Sequence, residues 1–101
     1  MSERRRGRRV RLALPCVLKP ATSSPIWAET IDVGEGGMSV RAARPLPTDA
    51  MVTFDLARDD DHTHVEGRAT VLRATGPRVY GLEFESLEAP MRERLLALVS
   101  P

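Results

Sequence analysis

Along most of this chain, apolar residues recur at every second position. Val10, Leu12 and Leu14, then Val17, form the first such run, with Arg11 and Ala13 between. Alternation is the period of a strand with one face buried and the other in water. Pro15 predicts an edge or a bulge in that strand, because proline cannot donate to a ladder. Ala21 to Pro25 is a turn cluster. Ile26 to Val33 is a second predicted strand. It has Ile26, Ala28, Thr30 and Asp32 on one face and Trp27, Glu29, Ile31 and Val33 on the other. Met38, Val40 and Ala42 restart the alternation as a third strand, and Val52, Phe54 and Leu56 make a fourth beyond the rigid loop Arg44 to Asp49. Val65 to Ala74 is a fifth, after the polar loop Arg58 to Thr63. Val79 to Phe84 is a sixth, with Tyr80, Leu82 and Phe84 on one face.

The final segment changes period. Leu87, Met91, Leu95 and Leu98/Val99 recur at three-to-four spacing, with Arg92, Glu93 and Arg94 outside them. That is an amphipathic helix. Ser86 is the predicted N-cap, and Pro90 is tolerated in a first turn. Six short strands followed by one helix predict a mainly β fold. We expect a small six-stranded antiparallel β-barrel, plugged or flanked by a C-terminal α-helix.

Length and composition agree with that picture. A chain of 101 residues is one domain. It buries a core without staples, which become usual only below roughly 40 residues. Aromatics are restricted to Trp27, Phe54, Tyr80 and Phe84, so Val, Leu, Ile and Ala must supply most of the core. Cys16, the sole cysteine, can form neither an internal disulfide nor a Cys-rich zinc site, and its apolar surroundings suit a small buried hydrophobe. No apolar run approaches the ~18 residues of a membrane span. Pro15 and Lys19 interrupt any signal-peptide core after the first arginines. The expectation is a soluble, reduced, cytoplasmic protein without membrane insertion.

Charge adds a feature that the total conceals. The chain sums to +1, yet residues 1 to 11 carry Arg4, Arg5, Arg6, Arg8, Arg9 and Arg11 against Glu3 alone, a local +5 that leaves −4 on the other 90 residues. Residues 1–9 therefore read as a flexible Arg-rich arm and residues 10–101 as the barrel with its helix. Such dense positive charge repels itself and has little to bury, so the arm is expected to be mobile until a ligand neutralises it. Fourteen of the fifteen basic residues are arginine, Lys19 being the exception. Arginine offers a planar fork for phosphate and a flat face for stacking on a base.

Catalytic chemistry is poorly supplied. No histidine accompanies a serine or cysteine nucleophile motif. His62 and His64 lie in D-D-D-H-T-H, where Asp59 to Asp61 could add oxygen ligands, but no cysteine or third histidine closes a metal shell. A solvated hairpin loop explains that segment, and no metal site or enzyme activity is expected. Glu83 and Glu85 flank Phe84 as solvent-facing strand positions. Binding is better supported. In Asp32-Val33-Gly34-Glu35-Gly36-Gly37 a carboxylate ends a strand before a glycine-rich bend. A carboxylate can accept hydrogen bonds from N1–H and N2–H₂ of a guanine edge, and glycines let a planar base lie against backbone. The same residues also suit a tight hairpin whose aspartate caps its own turn.

Arm and bend together resemble the PilZ domain, the bacterial receptor module for cyclic di-GMP. The R-x-x-x-R motif of that family is matched by Arg5-Arg6-Gly7-Arg8-Arg9, directly before Val10, and its [D/N]-x-S-x-x-G motif by Asp32 and Gly37. The Y-G-L-E-F run from Tyr80 to Phe84 and the closing helix are similar as well. The sequence departs from the family at Gly34, where the family carries serine. The resemblance implies that Arg5 and Arg9 contact phosphates and stack on guanine, that Asp32 reads a guanine edge, and that Gly37 lets the ligand approach. Arg4 extends the motif to R-R-x-x-x-R, which implies two intercalated nucleotides per domain. It further implies a ligand-ordered arm, no cofactor, and output through an unidentified protein partner. A degenerate member that binds no nucleotide and serves as an adaptor in motility or envelope regulation is the alternative. A basic-armed barrel binding RNA or DNA is a more distant one, since so few aromatics are present for base stacking.

Overall fold

The computed structural model describes residues 9–58 and 63–100. These form strands β1 (Arg9–Arg11), β2 (Pro15–Pro20), β3 (Ile26–Gly34), β4 (Gly37–Ala42), β5 (Met51–Arg58), β6 (Thr63–Gly76) and β7 (Val79–Phe84), then helix α1 (Ala89–Val99). The alternation in sequence becomes alternation in burial. Val52, Phe54 and Leu56 of β5 point inward while Met51 and Thr53 face solvent, and Met38, Val40 and Ala42 do the same for β4.

Six strands close into a ring in the order β3-β2-β5-β6-β7-β4, with β4 paired back to β3 and all pairs antiparallel. Closure leaves the ring without an open edge. The interior is aliphatic, with Leu18, Met38, Leu56, Leu82, Val33 and Val65 fully buried. Phe54 and Phe84 stack at 5.0 Å. The six-stranded barrel with a C-terminal helix expected from the sequence is therefore present, with one strand more.

That extra strand comes from the first apolar run, which is split. β1 and β2 lie one after the other along the same edge of β3. Between them Leu12, Ala13 and Leu14 face only Thr30 and Ile31. Pro15 starts β2, a position where its missing N–H is harmless. Arg9, assigned by the sequence to the arm, is the first residue of β1. Thr30, the one buried polar side chain among the described residues, closes the gap. Its hydroxyl donates to the Leu12 carbonyl and accepts from the Leu14 N–H at 2.8 Å. Thr30→Val keeps the shape and strands both groups, which should cost about 1–3 kcal/mol in urea unfolding. An unchanged midpoint would show that water replaces the hydroxyl.

On the other edge of β3, Thr30 pairs with Val40 but Asp32 pairs with Ser39, so Ile31 is an extra residue. This bulge inverts the phase of the strand. Ile26 and Thr30 point inward before it, and Val33 points inward after it. The single-phase strand predicted from sequence, with Asp32 on the face of Ile26 and Thr30, is thus corrected. An unbroken strand would aim the Asp32 carboxylate at the core. The bulge turns it out.

α1 starts later than the sequence predicts. Its N-cap is Glu88, not Ser86, and no side chain caps it. The segment before it stays extended because Leu87 fills the space over Gly67, where a Cβ would come within 2.5 Å of Leu87 Cδ2. Leu95 and Leu98 then bury the helix against the barrel, and Arg94 Nη1 donates to the His64 carbonyl at 3.0 Å. Among the described residues no helix is long and apolar enough to cross a membrane. Cys16 lies wholly inside the barrel. Burial pushes its thiol up to about 12, so it is neutral and not a nucleophile at ordinary pH.

Candidate functional site

Arg9 stands in register with Gly34, and Arg11 with Asp32. Register partners on antiparallel strands project to the same face. The outward turn of Asp32 at the bulge therefore delivers its carboxylate to the surface that carries Arg9 and Arg11. The guanidinium of Arg9 reaches diagonally, with Nη2 3.0 Å from Asp32 Oδ1. The same Nη2 donates to Ser39 Oγ at 3.4 Å. Ser39 is the partner of Asp32 on β4. Arginine, carboxylate and hydroxyl thus cluster across three strands.

The ion pair is loose. The two side chains are 33% and 28% exposed, and pairs so placed contribute about 0.2–1 kcal/mol. It is also incomplete. Asp32 Oδ1 is buried, yet among the described residues it has no aligned hydrogen-bond donor, the Arg9 Nη2 group 3.0 Å away included. A buried acceptor without a donor retains unused capacity.

The glycines have different places. Gly34 is buried and lies opposite Arg9. Gly37 is buried where β4 meets β7, and a Cβ on it would come within 2.2 Å of the Leu82 carbonyl oxygen. The close approach that this glycine permits is to β7 backbone. Arg4 and Arg5 lie outside the described residues, as do Asp59 to Asp61 and His62. His64 sits on β6, across the ring from β3, with Nδ1 2.9 Å from Asp55 Oδ1. Among the described residues no three side chains gather to hold a metal ion. Arg11 and Ser39, which no motif singles out, join the cluster through strand register alone.

The cluster lies on the outer face of β1, β3 and β4. A cleft of about 420 Å³ adjoins it at the bend, lined by Glu35, Gly36, Phe84, Glu85, Leu87 and Arg92 among others. A larger groove of about 560 Å³ lies elsewhere, between β2, β5, β6 and the start of α1. Neither contains Arg9 or Asp32. The Arg-rich arm leads directly into β1.

A closed antiparallel barrel with a charged cluster on one outer face and a helix packed against β6 defines a small binding domain. The PilZ domain family matches residues 3–100, and the chain belongs to that family. PilZ domains are regulatory binding domains, and cyclic di-GMP receptors are among them. The fold is similar to that of the Bacillus subtilis inhibitor of motility MotI/DgrA, with a TM-score of 0.79 and 20% identity over 96% of this chain. This chain spans about half of that one, 49%. It is also similar to the PilZ domain of CeSA from a cellulose-synthesizing bacterium, with a TM-score of 0.73, 19% identity, and coverage of 91% of this chain and 94% of that one. No curated protein matches by sequence.

Proposed function

We propose that this chain is a bacterial, cytoplasmic cyclic di-GMP receptor that orders its Arg-rich arm on the ligand and signals through a protein partner. The observation that carries the reading is Asp32 Oδ1, a buried acceptor beside Arg9 with no aligned donor among the described residues. The N1–H and N2–H₂ groups of guanine are the donors it lacks. In the free protein Arg9 covers that oxygen. A phosphate draws the guanidinium away, because a charge-assisted bond to phosphate is stronger than an exposed ion pair, and the carboxylate is released to the base. One ligand thereby satisfies both partners of a loose pair.

Arg5 is four residues ahead of Arg9, so its Cα lies within roughly 14 Å of that of Arg9. That reach lets a second arginine fold over a ligand held on the outer face of β1, β3 and β4, contacting phosphate and stacking on guanine. Arg4 would engage a second, intercalated nucleotide. Gly34 and Gly37 border the ligand, Gly34 without the hydroxyl that the motif serine provides. The ordered arm and the ligand together form a new surface for the partner.

Calorimetric titration with cyclic di-GMP, with GTP and a short oligonucleotide as controls, tests this. Binding at micromolar or tighter, with a stoichiometry of two per chain, is expected. Silence at millimolar ligand would favour the adaptor reading, to which Gly34 lends weight. Steep salt dependence with preference for the oligonucleotide would favour nucleic acid.

A further inference from the structure

We infer that Ser39 supplies the ligand-facing hydroxyl that position 34 lacks, an inference that rests on the receptor reading above. Gly34 presents no side chain to the outer face of β3. The register of β4 places Ser39 against Asp32 on that same face, half-buried, with its Oγ accepting from Arg9. On its far side Ser39 pairs with Gly81 of β7, which has no side chain to cover it. Among the described residues the Ser39 hydroxyl donates to no acceptor, so its proton is available.

Consider the same exchange from the hydroxyl's side. When Arg9 turns to a phosphate, it leaves both Asp32 and Ser39. Asp32 is acceptor only, whereas a serine hydroxyl also donates. The ligand presents both kinds of group, N–H donors on guanine and oxygen acceptors at guanine O6 and at the phosphates. Asp32 takes the donors and Ser39 gives a proton to an oxygen. A hydroxyl missing from one strand is thus replaced from the neighbouring strand. The bulge at Ile31 is what makes this possible, since it brings Asp32 out opposite Ser39.

Titration of cyclic di-GMP into the wild type, Ser39→Ala, Gly34→Ser and the double variant tests the inference. Loss of one neutral hydrogen bond should weaken Ser39→Ala roughly 2- to 13-fold. Its melting temperature should not change, since the hydroxyl makes one long bond in the free protein. Gly34→Ser should tighten binding more in the Ser39→Ala background than in the wild type, and the double variant should regain wild-type affinity. That non-additivity marks two hydroxyls serving one ligand group. Wild-type affinity in Ser39→Ala, equal gains from Gly34→Ser in both backgrounds, or weakened binding accompanied by a fall in melting temperature would each overturn it while leaving the receptor reading intact. A wild type that binds no cyclic di-GMP would overturn the receptor reading and this inference with it.

Discussion

Arg9→Ala should weaken cyclic di-GMP binding about 15-fold, within a range of roughly 2- to 100-fold, with no comparable change for His62→Ala or His64→Ala. Two effects oppose each other. The variant loses a charge-assisted contact worth about 1.5–3 kcal/mol. It also frees Asp32 from an ion pair worth about 0.2–1 kcal/mol, which the ligand otherwise has to break. The first exceeds the second, and each 1.4 kcal/mol is tenfold in affinity. Arg5→Ala should weaken binding as well, since it would remove a second charge-assisted contact to phosphate. His64 pairs with Asp55 on the opposite side of the ring and should be silent. Equal effects of Arg9→Ala and His64→Ala in calorimetry would remove the β1–β3 cluster from the site.

Gly37→Ala should destabilise the domain by about 1–3 kcal/mol or more in urea unfolding, the cost of overpacking a site that cannot relax. Its Cβ would stand 2.2 Å from the carbonyl oxygen and 3.3 Å from the carbonyl carbon of Leu82. Both are backbone atoms, fixed by the pairing of Gly37 with Glu83 and of Met38 with Leu82. Relief requires β4 and β7 to part, close to where the Phe84 N–H donates to the Gly36 carbonyl at 2.9 Å. Gly36→Ala is the matched control, since nothing lies within 4 Å of a Cβ there. A drop in ligand binding by Gly37→Ala would follow from unfolding alone, so the titration must use the folded fraction. Equal stability of the two variants would show that the strands can separate at no cost.

Much of the barrel was legible in the chain. The period-two runs at Val52-Phe54-Leu56, Met38-Val40-Ala42 and Tyr80-Leu82-Phe84 became inward faces as written, because alternation with a buried face leaves each strand one acceptable orientation. The period change after Leu87 marked the helix for the same reason. Its start was not legible. Ser86 has the chemistry of an N-cap, but Leu87 is drawn into the space over Gly67, and a contact between residues so distant in the chain has no local sign.

The binding face divides in the same way. The bend chemistry named Asp32, the +5 charge of the first eleven residues marked the arm, and the resemblance to the PilZ motif singled out Arg9 within it. What brings the two side chains within 3.0 Å is the bulge at Ile31 together with the gap that Thr30 seals between β1 and β2. Both depend on how many residues on one strand face how many on the next, which no single strand records. Arg11 and Ser39 entered the cluster only through that register. Outside the split first run and the bulged β3, the sequence by itself determined which segments become strands, which faces they bury and where the positive charge lies, because these follow from spacing along one chain. The tertiary structure alone decided that Asp32 points outward and which side chains meet it, because register is a property of strand pairs.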